Sequence, residues 1–132
     1  MAIRVKIMSN DVSSVAKIVL IDEKNRVLFL KRSKDSDKYP NQWDLPGGHL
    51  KKNESLLDGL KREVLEETDL KIENPIFVVK IGKTHFFKAK YNSMAIKLSK
   101  EHTAYTFLNK KSLKPTDKYQ KVVLKVLGDN ND

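Results

Sequence analysis

The sequence predicts an α/β domain in which a multi-stranded sheet is covered by two helices. Three observations carry that prediction. Short apolar runs separated by polar turn residues recur along the chain, as strands do. A central stretch, residues 54–68, places apolar residues at helical spacing. A second helical pattern follows Pro115 and ends near Gly128.

Residues 15–21 form an apolar run broken only by Lys17, and residues 27–30 form another. Asp22-Glu23-Lys24-Asn25 between them has turn chemistry, so the pair reads as a β-hairpin. Residues 33–40 are polar and read as a loop. In Trp43-Asp44-Leu45-Pro46-Gly47-Gly48 a short strand should end in a tight turn, because Pro46 cannot donate and glycine permits unusual dihedrals. Asn53 is the expected N-cap of the central helix, and Leu56, Leu57, Leu60 and Val64 its apolar side. Asp69 stands where a left-handed terminator is common. Residues 72–81 and 84–91 read as strands around Gly82, and residues 95–98 and 103–108 as two short strands. Pro115-Thr116-Asp117 opens the last helix, in which Tyr119, Val123, Val126 and Leu127 can face the core while Lys118, Lys121 and Lys125 are solvated.

The 132 residues fit one domain, with no repeat, linker or low-complexity segment. The absence of cysteine excludes disulfides and thiolate metal sites. Residues 1–10 show no leader pattern, and no apolar run approaches the roughly 20 residues of a membrane span. The expectation is a cytoplasmic protein with no membrane partner. The formal charge is +9, yet residues 54–69 carry six acids and only two bases. Such clustering opposes itself electrostatically unless a cation lies within it. The basic remainder suits an anionic substrate, nucleotide or nucleic acid, although most of the lysines simply solvate the surface.

At about 100° per residue, Glu63, Glu66 and Glu67 share an arc of roughly 100° that borders the buried stripe of the helix. Oxygen ligands of this kind suit Mg²⁺ or Mn²⁺; the bland alternative is a solvent-facing acidic stripe paired with lysines. The bare backbone of Gly47 and Gly48 lies just before the helix, where a carbonyl can complete a metal shell. Arg62 can reach and hold a neighbouring carboxylate.

These residues resemble a known pattern. Gly48, five residues, Glu54, seven residues, Arg62-Glu63-Val64, one residue, Glu66-Glu67, one residue, then Asp69-Leu70 is similar to the Nudix box. It spans 23 residues and departs only at Asp69, where the family has glycine. Trp43-Asp44-Leu45-Pro46-Gly47-Gly48 resembles the usual lead-in, and Leu98-Ser99-Lys100-Glu101-His102 the late loop. The resemblance implies an α/β/α sandwich with a mixed β-sheet, formed by a single domain over residues 1–132. It implies a diphosphate hydrolase using Mg²⁺ or Mn²⁺ on a nucleotide-type small molecule. Glu63, Glu66, Glu67 and the Gly47 carbonyl would hold metal, Arg62 would orient a helix carboxylate, and Glu54 would hold the loop and helix together. Glu63 is the first candidate for general base and Glu101 the second. Asp69 should cost about 1 kcal/mol of backbone comfort and no chemistry.

Arg32 is a candidate phosphate contact, with a surface arginine as the plainer reading. Trp43 and Phe86 are candidates for stacking on a base, with core packing as the alternative. His49, His85 and His102 look scattered and carry no assigned role. A non-catalytic Nudix-like module is a rival reading, against which all the box glutamates are present. Hydrolysis of an RNA 5′ end is another, which the lysines would suit. The markers of ADP-ribose and dinucleoside polyphosphate members are replaced by His85 and Phe87, so the sequence selects no substrate, and the oligomeric state is open.

Overall fold

The elements follow the hydrophobic pattern in order. A computed structural model of the chain describes residues 14–130, so the reading of residues 1–10 lies outside the described part. Strands β1 (Val15–Ile21), β2 (Val27–Arg32), β3 (Trp43–Asp44) and β4 (Gly47–His49) precede helix α1 (Leu56–Thr68). Then come β5 (Ile76–Ile81), β6 (Thr84–Lys90), β7 (His102–Leu108), a 3₁₀ turn (Lys110–Ser112) and helix α2 (Lys118–Asn130).

The strands form one sheet in the order β3-β2-β1-β6-β5, with β4 also paired to β1 and β7 to β2. It is mixed: β1 and β6 run parallel from Val15↔Thr84 to Ile21↔Lys90, whereas the other pairs are antiparallel. Alternate residues of each central strand feed opposite cores. Ala16, Ile18, Leu20, Leu28 and Leu30 pack with Leu60 and Val64 of α1. Val19, Ile21, Val27 and Phe29 pack with Val122, Val123, Val126 and Leu127 of α2. Burial on both faces explains why β1 and β2 read as continuous apolar runs. The result is the α/β/α sandwich with a mixed sheet that the box implied.

Several boundaries differ from the sequence expectation. The N-cap of α1 is Ser55, whose side chain accepts the Asp58 N–H. Asn53 instead takes a left-handed φ of 65° in a turn that Lys51 and Glu54 close, the Glu54 amide donating to the Lys51 carbonyl. Leu57 is exposed, because it lies about 100° around the helix from Leu56. Residues 95–98 form no strand: the Lys97 and Ser99 amides donate to the Thr68 and Glu67 carbonyls, closing the end of α1. β5 starts at Ile76 and not at residue 72, because left-handed Asn74 and donor-less Pro75 break the extended run. The hairpin between β1 and β2 is present, its turn held by Asp22 Oδ1, which accepts from the Lys24 and Arg26 amides.

Asp69 ends α1 with φ 67°, and its amide donates to the Leu65 carbonyl. Glycine adopts this conformation without penalty, so Asp69→Gly is expected to leave the fold unchanged and to raise unfolding stability by up to about 1 kcal/mol. Chemical denaturation of both forms checks this. A loss of stability would mean that the Asp69 side chain contributes something beyond its backbone.

Candidate active site

The site is assembled where β4 crosses between β1 and α1. Gly47 pairs with Lys17 at φ 123°, and a Cβ there would collide with the Ala16 carbonyl and lie 2.8 Å from the Lys17 Cα. Only glycine lets β4 lie this close to β1. The Gly47 amide donates to Glu67 Oε1 at 2.9 Å, and its carbonyl accepts from Lys17 Nζ at 3.0 Å. One residue therefore links a helix carboxylate to a buried ammonium. At Gly48 a Cβ would stand 2.6 Å from Glu63 Oε1, so this second glycine makes room for an acid.

Arg62 organises the acids. Its Nε and Nη2 grip Glu54 at 2.7 and 2.9 Å. Its Nη1 reaches Glu63 at 3.2 Å and Glu66 at 3.1 Å, and Nη2 also donates to the His49 carbonyl. The hydrogen bond from Arg62 holds the Glu54 carboxyl down to about 2, so Glu54 stays ionised and ties the loop to α1. Burial pushes Glu63 above the usual carboxylate range, against the pull of Arg62. Burial pushes Glu67 up to about 8, opposed by Lys17 and by the Gly47 N–H. Glu67 is 5% exposed, so its charge depends on the cations and N–H groups that reach it.

The late loop supplies the opposite wall. The Ser33 amide donates to the Glu101 carbonyl, and the Ser99 amide ties the loop to Glu67. Polar atoms of Glu67, Glu101 and His102 lie within 4.8 Å of one another. His102 is buried, which lowers its imidazole to about 4, and its Nδ1 has no hydrogen-bond partner. These groups open on a cleft of about 880 Å³, a volume that suits a nucleotide-sized ligand.

The structure thus brings Gly47, Glu63, Glu67 and Glu101 together around the cleft. Glu66 is turned outward, 57% exposed in its side chain and paired with Arg62. Arg32 is not a free surface arginine: it donates to the Lys38 carbonyl, Asp44 and Ser36, pinning the loop after β2. Trp43 lies in the cleft wall with 43% exposure, whereas Phe86 is fully buried in the core. Two residues of the site were passed over in the sequence. Lys17 is buried, donating to Asp44 Oδ2 at 3.0 Å and the Leu45 carbonyl at 3.1 Å as well as to Gly47. Its signal was a lone charge inside an apolar run. His102 looked scattered because its neighbours come from distant parts of the chain; its signal was adjacency to Glu101.

The sequence model of the NUDIX domain matches residues 12–122. The chain belongs to the Nudix family. Among curated Nudix relatives, the m7GpppN-mRNA hydrolase NUDT17 of Xenopus laevis is 42% identical over 60 residues, 45% of this chain and 20% of that protein. The 8-oxo-dGTP diphosphatase of Buchnera aphidicola subsp. Acyrthosiphon pisum is 39% identical over 71 residues, 54% of this chain and 48% of that one. The chain therefore spans only a fifth to about half of the length of these relatives. The MutT protein of Methanosarcina mazei Go1 has the same fold, with a TM-score of 0.73 and 25% identity over 89% of this chain and 94% of that one. A C. elegans Ap4A hydrolase shares the fold at TM-score 0.69 and 19% identity, covering 89% and 96%. Among the described residues no helix is long and apolar enough to cross a membrane.

Proposed function

We propose that this Nudix chain hydrolyses a diphosphate bond in a nucleoside diphosphate linked to another group, using Mg²⁺ or Mn²⁺. The observation that carries the reading is Glu67, a buried carboxylate joined to Gly47, with Glu63 beside Gly48 and both facing a nucleotide-sized cleft. The donor set fits a hard divalent ion: carboxylates and a backbone carbonyl, with the Glu101 carboxylate close by. Glu63, Glu66 and Glu67 are the proposed carboxylate ligands. The Gly47 carbonyl, which accepts Lys17 on one lone pair, offers at most one further oxygen. A bound ion would supply an activated water and neutralise charge on the phosphate oxygens.

The chain's own groups do the rest. Arg62 keeps Glu63 and Glu66 in place. Glu63, raised by burial, is the first choice to take the proton of the attacking water, and Glu101 is the second. Trp43 offers an exposed ring for a base, and Arg32 shapes the mouth by holding the loop. The likeness to NUDT17, named as an mRNA cap hydrolase, and the +9 charge favour an RNA 5′ end as second reading.

Two experiments test the reading. Nucleoside triphosphates, nucleotide sugars, dinucleotides and 5′-triphosphate or capped RNA are offered with Mg²⁺, and cleavage of at least one class is expected. Mg²⁺ titration should raise the thermal midpoint of the wild type and leave a Glu66→Gln, Glu67→Gln double variant nearly unchanged. Equal responses of the two proteins would place the ion elsewhere.

A further inference from the structure

We propose that Glu67, Glu101 and His102 form a mixed oxygen–nitrogen divalent-metal site, one that takes Mn²⁺ in preference to Mg²⁺. This rests on the metal-dependent reading above and adds two ligands, Glu101 and His102, that lie outside the acidic helix. Ligand atoms around one octahedral ion at about 2.1 Å stand roughly 3–4 Å apart. The three side chains place their ligating atoms within 4.8 Å, so a small adjustment closes the set.

The second observation is His102 itself. It is 6% exposed, one of its ring nitrogens lies within 4.8 Å of carboxylate oxygens of Glu67 and Glu101, and separately its Nδ1 is the one buried side-chain nitrogen or oxygen without a partner among the described residues. An orphaned buried nitrogen costs stability unless something binds it.

The surrounding groups leave this end of the site for the ion. Lys17 sits at the other end, on the Gly47 carbonyl and Asp44, where its ammonium already supplies positive charge. Arg62 donates to one oxygen each of Glu63 and Glu66, which keeps them as the further carboxylates of the metal-dependent reading. Glu67 is common to both halves: Gly47 takes Oε1 through its N–H, and Glu101 and His102 close on the same carboxylate. Mg²⁺ demands oxygen, whereas imidazole suits the transition ions, which is why one nitrogen in the set shifts the preference.

The test is pulsed electron paramagnetic resonance on the full chain loaded with Mn²⁺. The wild type should show ¹⁴N modulation from a directly bound imidazole, replaced by the ¹⁵N pattern when histidine is ¹⁵N-labelled. His49→Gln, at an exposed histidine of the same cleft, should keep the signal. His102→Gln should lose it and weaken Mn²⁺ by at least about tenfold, since even outer partners of a metal site are worth about 10–100-fold. Mg²⁺ affinity should change by less than about threefold in the same variant. Labelling and His49→Gln decide the matter even if His102→Gln fails to fold. Mn²⁺ bound without histidine modulation, or a signal lost in His49→Gln, overturns the site and leaves the metal-dependent reading standing. No Mn²⁺ binding at all overturns both.

Discussion

Glu63→Gln and Glu67→Gln are each expected to lower kcat on the order of 10²-fold, about 2.7 kcal/mol of barrier, on whichever substrate the wild type cleaves. Both residues face the cleft from one side of α1, one helical turn apart. The glutamine amide keeps the shape: at position 67 its oxygen can still accept the Gly47 N–H. What it loses is the negative charge that holds a divalent ion, and interactions with that ion count most as charge develops in the transition state. KM should therefore move less than kcat. Glu54→Gln is the comparison, because Glu54 binds Arg62 and the Lys51 amide and does not line the cleft. It should cost stability more than turnover. Retention of near-full kcat by both cleft variants would sink the hydrolytic mechanism and move the binding-module reading ahead.

The parts of this site that the sequence discloses are local ones. Glu63, Glu66 and Glu67 share a face because a helix puts them there at fixed spacing, and Arg62 reaches them within the same turns. β1 and β2 were legible as continuous apolar runs, although the two separate cores that their alternate residues feed were not. Non-local contacts were not legible. Residues 95–98 have strand composition, but the amides of Lys97 and Ser99 find the open carbonyls of α1 before any strand edge. The Ser55 cap overrode Asn53 through a turn that Lys51 and Glu54 close. His102 acquires meaning only when β7 pairs Arg32 with it and the late loop folds onto Glu67. A single histidine letter carries none of that.

Lys17 is the extreme case, since its partners lie 27 to 30 residues away and its surroundings are apolar. Burial works against its charge, and Asp44 and Glu67 more than offset that, so its pKa stays above the ordinary lysine value. Three ammonium donors meet Asp44 Oδ2 and the carbonyls of Leu45 and Gly47, which leaves no donor for water. Lys17→Met keeps the length and the apolar stem. It leaves two buried carbonyls without that partner, and Asp44 with the Arg32 guanidinium at 3.2 Å and the Leu45 N–H. Removing one member of a buried pair costs about 3–5 kcal/mol. For a domain of this size that shifts the thermal midpoint down by on the order of 10 °C or more. The Asp44→Asn change should cost less in the Lys17→Met background than alone, because the pair acts as a unit. If Lys17→Met melts within about 2 °C of the wild type, a shift worth under about 1 kcal/mol, the ammonium is not what fixes Gly47 against β1. The glycine and its pairing register would then have to hold β4 unaided.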